Sequence, residues 1–292
     1  MRRLIAVIFG VCLLLIVASF GGALHGIGDS LAVFRYLIAM GVAVSAALLQ
    51  RRVGLRIAGV MLVAAGIWLA PEAARLVASG PLPQTTYSLY QKNLLYDGDQ
   101  RRELAADILA ADADFVTLQE LFSANKTVLD VLQPHYSTQQ ACGPANGPGQ
   151  VVLSKWPAVP GQVVCRGDIG AVGMQVETPH GRVWVLSIHL RWPFPYSQPK
   201  QVAKLLPVLA GLEGPKVIAG DFNMVPWSYA VRAIERASGS KRAGAMVRTL
   251  VYGSGVLQVP IDHVLVPGGQ GELQVRPLLG SDHLGVVLGF EL

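Results

Sequence analysis

Cysteine is scarce, with three in 292 residues, too few for a disulfide scaffold or a zinc cluster. Charge is scarce too. Asp, Glu, Lys and Arg make up 15% of the chain against 52% apolar residues, a greasier composition than that of an average soluble protein. The net charge of +5 hints at nucleic acid until it is divided along the chain. Residues 1–84 hold seven arginines against Asp29 and Glu72, which leaves 17 basic and 17 acidic residues in the remainder. No Lys/Arg-rich run interrupts that neutral remainder, so it lacks the electrostatic footprint of tight sequence-independent DNA binding. Internal repeats and low-complexity tracts are also missing, which excludes solenoids and compositionally biased tails.

What is abundant is apolar sequence before about residue 80, in three consecutive runs: "LIAVIFGVCLLLIVASFGGAL" from Leu4, "LAVFRYLIAMGVAVSAALL" from Leu31 and "VGLRIAGVMLVAAGIWLA" from Val53. Each is near the ~20 residues a helix needs to cross the hydrocarbon core. A cleavable signal peptide is the competing reading of the first, behind Arg2 and Arg3, but the run is long for one and two more follow it. Arg56 lies close enough to an end to snorkel; Arg35, four residues into the second run, fits less well. Arg2 and Arg3 precede the first run and Arg51, Arg52 and Arg56 mark the junction of the second and third, whereas the first connection, "HGIGDS", has neither Lys nor Arg. The positive-inside rule then predicts an N-inside start and three crossings, with everything after about residue 71 outside. Residues 1–70 are thus expected to form a bundle of about three transmembrane helices, and residues 71–84, "PEAARLVASGPLPQ", a linker.

Residues 85–292 alternate strand-like and helix-like stretches. Residues 86–95, "TYSLYQKNLL", read as a strand, and "DQRRELAADILAADA" from Asp99 as an amphipathic helix with Leu104, Ile108 and Leu109 on one side. "DFVTLQEL" is a strand that breaks at Gln119 and Glu120, and "NKTVLDVL" is a short helix. "GQVVLSKWPAV" and "VGMQVETPHGRVWVLSIHL" supply further strands, the latter folded at "PHG" into a hairpin. "SQPKQVAKLLPVLAGLEG" is a helix with Ser197 as N-cap; the strand "KVIAGD" follows, then a helix from about Ser228 to Ala237. "IDHVLV", "ELQVRPL" and "GVVLGFEL" close the chain as strands. Elements of these lengths fit a two-sheet α/β or α+β sandwich. Cys142 and Cys165 are open to either a disulfide in an oxidising compartment or two buried thiols.

Several of these strands end in acids, amides or histidines: Asn93, Glu120, His189, Asp221 with Asn223, Asp262, and Asp282 with His283. Any one of them alone is ordinary turn or core chemistry. Together, carboxylates with amides and imidazoles, and no thiolate cluster, are ligands for a hard cation such as Mg2+ or Mn2+. Magnesium takes one or two carboxylates and lets substrate phosphate fill its shell, so Glu120 with Asp282 would suffice. A carboxylate can orient or deprotonate an attacking water, an Asp fixes a histidine tautomer, and an Asn donates N–H to developing charge without titrating. In "AGDFN", Asp221 and Asn223 stand two apart, which in extended chain turns both to one side, and Gly220 lets backbone approach closely. These are the parts of a phosphate-ester hydrolase. The loop "HLRWPFPYSQPKQ" sets Arg191, Trp192, Phe194 and Tyr196 after His189, either as a lip for a base or lipid headgroup or as packing on the sheet edge. Trp227 is expected beneath the site.

The blocks "NLL", "LQEL", "HL", "GDFN", "IDHVLV" and "GSDH", in that order over nearly all of residues 86–292, resemble the endonuclease/exonuclease/phosphatase superfamily, and the sequence looks closest to a membrane-anchored bacterial branch with short N-terminal hydrophobic runs. The resemblance implies a four-layer α/β/β/α sandwich with the site at one end of the paired sheets. It implies Glu120 as principal metal ligand, Asp282 as second metal contact, and Asn93 beside Glu120 on metal or phosphate. It further implies His189 binding or protonating phosphate, Asp221 positioning the attacking water, Asn223 as transition-state donor, and Asp262 holding His283. Arg191 is a candidate substrate contact. Gln150 departs from the more apolar residue expected at its place and is read as facing solvent, with substrate contact as the alternative. The expectation is a multi-pass bacterial inner-membrane enzyme with a periplasmic or extracellular catalytic domain, using Mg2+ or Mn2+ on a phosphate ester of nucleic acid or of a phospholipid or sphingolipid headgroup, with no obligate protein partner. A membrane-tethered, non-catalytic binding scaffold is the alternative; it predicts loss of at least one catalytic position, and none is lost.

Overall fold

Apolar and alternating runs bounded by Gly, Pro and Asn pair here into two sheets. The computed structural model describes residues 1–49, 61, 87–96, 100–122, 127–143, 149–253, 255 and 257–292. In chain order the first strands are β1 (Tyr87–Asn93), β2 (Phe115–Leu121), β3 (Thr138–Cys142), β4 (Gly149–Ser154), β5 (Ala158–Arg166), β6 (Ala171–Thr178) and β7 (Gly181–His189). The rest are β8 (Lys216–Asp221), β9 (Lys241–Arg242), β10 (Leu250–Tyr252), β11 (Leu257–Val259), β12 (Asp262–Val266), β13 (Glu272–Arg276) and β14 (Gly285–Phe290). The helices are α1 (Arg2–Ala18), α2 (Gly26–Val33), α3 (Arg35–Leu49), α4 (Arg101–Ala111), α5 (Thr127–Leu132), α6 (Gln198–Gly211) and α7 (Tyr229–Ser238).

One sheet runs β13-β14-β1-β2-β4-β3 and the other β5-β6-β7-β8-β12-β9, with β10 and β11 as a separate ribbon. The sheets face each other through Leu89, Phe115, Val152, Val185 and Val217. Helices α4 and α5 cover the outside of the first sheet with Leu104, Ile108, Val128 and Leu132; α6 and α7 cover the second with Leu205, Leu209, Val231 and Ile234. This is a mixed α/β sandwich of four layers.

Each sheet has one parallel pair near its middle, β1 with β2 and β7 with β8, while the remaining pairs are antiparallel. A parallel pair needs a crossover, and α4 and α6 supply the two. Parallel pairing also brings strand ends together: β1 and β2 finish near Asn93 and Glu120, and β7 and β8 at His189 and Asp221. Gly220 makes the second pairing possible. Its φ is +152°, and a Cβ there would lie 1.8 Å from the Ile188 carbonyl oxygen on β7, so the close approach it allows is strand to strand.

A disulfide joins Cys142 on β3 to Cys165 on β5, closing the outer edges of the two sheets. Helices α1 and α3 lie against each other, and among the described residues no side chain of α1 is buried. No single helix among them is long and apolar enough to cross a membrane; α2 and α3 would do so only as a pair, bent by 70°. The run from Leu31 is therefore not one straight helix. It breaks at Phe34 because α2 is held by contacts to α7 and to the loop after β7. The third expected span, from Val53, and the linker 71–84 lie outside the described residues, apart from residue 61. Ser197 precedes α6 as expected but does not cap it; its hydroxyl instead accepts from Arg191 Nη1 at 2.5 Å.

Candidate active site

The shared end of the two parallel pairs opens into a cavity of about 540 Å3, lined by Glu120, His189, Asp221, Asn223, Asp282 and His283. At its centre is the Asp221 carboxylate, 2% exposed. Its Oδ2 accepts from Asn93 Nδ2 at 3.0 Å and from Asn223 Nδ2 at 3.3 Å, and lies 3.5 Å from His189 Nε2 and 3.8 Å from His283 Nε2. Asn93 Nδ2 also donates to Glu120 Oε1 at 3.1 Å, which ties Glu120 to the same cluster, and His189 Nε2 is 3.9 Å from that oxygen. Asp282 Oδ1 is 3.9 Å from His283 Nε2. Residues 93, 120, 189, 221, 223, 262, 282 and 283 thus converge, although they are spread over some 190 positions of sequence.

Asp221 and Asn223 do not meet by strand alternation. The strand ends at Asp221, and Asn223 takes a left-handed φ of +48°, with its backbone N–H donating to Asp221 Oδ1 at 2.8 Å. This is an Asx-type turn. Asn223 Nδ2 reaches the Leu190 carbonyl at 2.8 Å as well as Asp221, leaving Oδ1 buried without a hydrogen-bond partner. Glu120 also has a left-handed φ, +56°, at the irregularity that ends the regular pairing of β2 with β4 between Leu118 and Leu121. Non-glycine residues in this region cost about 1 kcal/mol or more and persist where the surroundings over-determine them.

Burial, with a further push from the Asp262 carboxylate, raises the Asp221 carboxyl to about 6 against the opposing pull of His283. Burial would lower His283, but the Asp262 and Asp221 carboxylates win and hold it up to about 10. Asp262, in turn, stays below the usual carboxylate range: burial raises it, but the charge and hydrogen bond of His283 together with the hydrogen bond of Thr249 outweigh that. The contact between His283 Nδ1 and Asp262 Oδ2 is 2.7 Å, and Gln91 Nε2 donates to the other oxygen, Oδ1, at 2.7 Å.

Asp221, Asp262 and His283 lie close enough together, with one atom of each within 4.8 Å of the others, to hold a metal ion. Two of those groups are already committed to each other and to Gln91, so a hard cation would draw on the other oxygen donors of the cavity wall. Glu120, Asp221 and Asp282 line it with carboxylates, and Asn223 Oδ1 and Gln150 Oε1, buried without a hydrogen-bond partner among the described residues, belong to residues that line it too. Asn93 turns its N–H groups toward Glu120 and Asp221, while its Oδ1 accepts from Leu95 N at 3.0 Å.

Gln150 is not at the solvent face. It is buried and lines the cavity. Arg191 lines it too, as do Trp192 and Tyr196, residues 50% and 64% exposed; Phe194 turns away toward His25, ring centroids 5.0 Å apart. Trp227, expected beneath the site, is buried against the N-terminal helices, with Nε1 donating to the Ala32 carbonyl and Tyr36 against its ring. Sequence reading passed over Gln91 and Lys92. Lys92 is wholly buried, and its Nζ donates to the carbonyls of Pro277 at 3.0 Å and His283 at 2.7 Å, with burial drawing its pKa down to about 8. The available signal was a Gln-Lys pair inside an otherwise apolar strand.

A two-sheet sandwich with acids, amides and imidazoles gathered at the shared end of two parallel strand pairs defines a metal-dependent phosphoester hydrolase. The chain belongs to the Endonuclease/Exonuclease/phosphatase family, whose sequence profile matches residues 86–283. No curated protein gives a significant sequence match. Among solved structures, an endonuclease/exonuclease/phosphatase family protein from Leptotrichia buccalis C-1013-b is similar with a TM-score of 0.57 at 14% identity, covering 71% of this chain and 100% of its own. D. rerio TDP2 complexed with single-strand DNA product is similar at 0.57 and 16% identity, covering 70% and 99%. Sphingomyelinase C from Streptomyces griseocarneus is similar at 0.51 and 17% identity, covering 71% and 100%. At such identities these likenesses establish the fold.

Proposed function

We propose that the chain is a membrane-anchored phosphodiester hydrolase whose catalytic unit lies on the outer side of the membrane. The single observation that carries the catalytic reading is the convergence of Asn93, Asn223, His189 and His283 on one oxygen of Asp221, beside Glu120 and Asp282. Glu120 and Asp282 would hold Mg2+ or Mn2+, which when bound neutralises charge on the phosphoryl oxygens. Asp221 is ionised above pH about 6, and orients the attacking water and takes its proton. As the water oxygen bonds to phosphorus, the P–O bond to the leaving alcohol breaks and the departing oxygen takes its proton from solvent; His283, kept cationic by Asp262, donates to a phosphoryl oxygen, and His189 binds a second from the end of β7. Asn223 has both N–H groups engaged, so it serves as transition-state donor by exchanging its longer bond, the 3.3 Å one to Asp221, for the phosphoryl oxygen. Arg191 meets the outer part of the substrate.

Three features support the membrane reading. Helices α1 and α3 expose large apolar side chains, among them Leu4, Leu14, Leu37 and Leu48 at 60% or more, which water disfavours. Helix α2, from the first connection, packs on the catalytic sandwich. An N-inside chain with three crossings puts that connection and the catalytic unit on one side, whereas two crossings would separate them by the bilayer. The Cys142–Cys165 bond fits an oxidising compartment.

Within phosphodiesters, a lipid headgroup is favoured by the neutral composition after residue 84 and by Trp192 and Tyr196 exposed at the mouth. Nucleic acid is the second reading, favoured by the likeness to D. rerio TDP2 in complex with single-strand DNA product. The test is full-length protein in detergent with Mg2+ or Mn2+, assayed against sphingomyelin vesicles, plasmid DNA, RNA and bis-p-nitrophenyl phosphate. At least one substrate should be cleaved, with loss on adding EDTA and a drop of about 100-fold or more in Asp221→Ala. Activity surviving both rejects the mechanism.

A further inference from the structure

An acid between two apolar runs needs an explanation, and Asp29 has one. It is buried in α2, where Oδ1 accepts from the Tyr229 backbone N–H at 2.7 Å and Oδ2 from that of Ala230 at 2.9 Å. Those are the first two amides of α7; the third, Val231 N, is taken by Ser228 Oγ at 3.1 Å. A buried carboxylate is costly unless hydrogen-bonded, and a helix start offers both unsatisfied donors and a favourable dipole. The fit leaves no spare room. A Cβ on Gly22 would lie 2.3 Å from Asp29 Oδ1 and 2.8 Å from Tyr229 Cβ, and one on Gly28 would lie 2.3 Å from Gly22 N.

The same helix makes two further attachments. Trp227 Nε1 donates to the Ala32 carbonyl at 2.8 Å, with Tyr36 edge-on to the indole at 4.5 Å. Ser30 Oγ donates to the Phe194 carbonyl at 2.7 Å, and Gly26 sits so near the loop and the start of α6 that a Cβ would be 3.2 Å from Phe194 Cβ and 2.7 Å from Pro199 Cγ. Both attachments lead to Asn223. Trp227 and Tyr229 terminate the turn that begins at Asn223, and Phe194 lies in the loop that begins after Leu190, whose carbonyl receives Asn223 Nδ2. Asn tolerates φ +48°, and the bonds of Asn223 to Asp221 and Leu190 hold it there, but the turn and the loop that carry it and its partner are gripped by α2 on both sides.

We propose that Asp29 is a positioning residue for Asn223: α2 is part of the catalytic unit and fixes the 222–230 turn and the 191–197 loop in one arrangement, so that the apolar N-terminal helices and the site move as one body. This rests on the phosphoesterase reading only for its kinetic consequence. The experiment uses the full chain in detergent, with Asp29→Ala, Asp29→Asn and Trp227→Phe, read by turnover of bis-p-nitrophenyl phosphate and by hydrogen exchange of the Asn223 amide against the core amides of Tyr90 and Val116. Asp29→Ala should lower kcat by about tenfold with KM changed less than about threefold, and should speed exchange at Asn223 by about tenfold while the core amides hold. Asp29→Asn keeps one acceptor for the α7 amides and should recover most of kcat; Trp227→Phe keeps an aromatic ring, loses the N–H, and should fall between. Unchanged kcat, or a fall in kcat with Asn223 exchange unmoved, overturns the proposal. If Asp29→Ala does not fold, Trp227→Phe is judged by the same two readouts. A wild-type chain silent toward every phosphate ester defeats the functional reading, and exchange at Asn223 still decides the positioning.

Discussion

Asp221 carries its charge at a cost. A carboxyl raised by burial stabilises the folded chain below its ordinary value of 3.8, and that stabilisation is lost as pH rises through about 6. At neutral pH the ionised group therefore works against the fold that holds it. In metal-free protein, Asp221→Asn should melt a few degrees above wild type at pH 8 and at the same temperature at pH 3, as read by calorimetry, even as activity disappears. The polar residues of the site could be picked out in the sequence because each interrupts or ends an apolar run. Gln91, Lys92 and Gln150 could not be placed from sequence, because what makes them notable is where they point. The carbonyls that hold Lys92 belong to residues 277 and 283, and Gln150 reaches the cavity only through the pairing of β4 with β2.

Among the elements, the long apolar strands and the amphipathic helices α4, α6 and α7 were legible because their burial follows local periodicity. The short pieces β3, β9, β10 and β11 carry no such pattern; β3 reads Thr-Gln-Gln-Ala-Cys and is a strand only because β4 offers it an edge. The break at Phe34 was hidden for the same reason, since long-range bonds from Asp29, Ser30 and Ala32 decide it. Gly220 shows how tightly one element interface can depend on one residue. Gly220→Ala would place a methyl against Ile188 O in a backbone region open almost only to glycine, and should cost about 3 kcal/mol or more, measured by urea unfolding. Because β8 delivers Asp221, activity should fall with it.

For the whole molecule, the decisive question is which side of a bilayer each part occupies. Reporter fusions after residue 50 and after residue 80 should report opposite faces, inside and then outside; fusions reporting one face would remove the three-crossing arrangement. The split of charge along the chain made this expectation possible, but nothing in the sequence showed that the first connection would lean on the far half of the protein.

The bond between Cys142 and Cys165 completes a frame around the sandwich. It staples β3 to β5 along one margin, while at the other the chain itself passes from β12 to β13 through the short 267–271 link, with Leu273 packed beside Ala243. Reduction removes one of these two ties and leaves the other, so it should lower the melting temperature, read by calorimetry with and without a reductant.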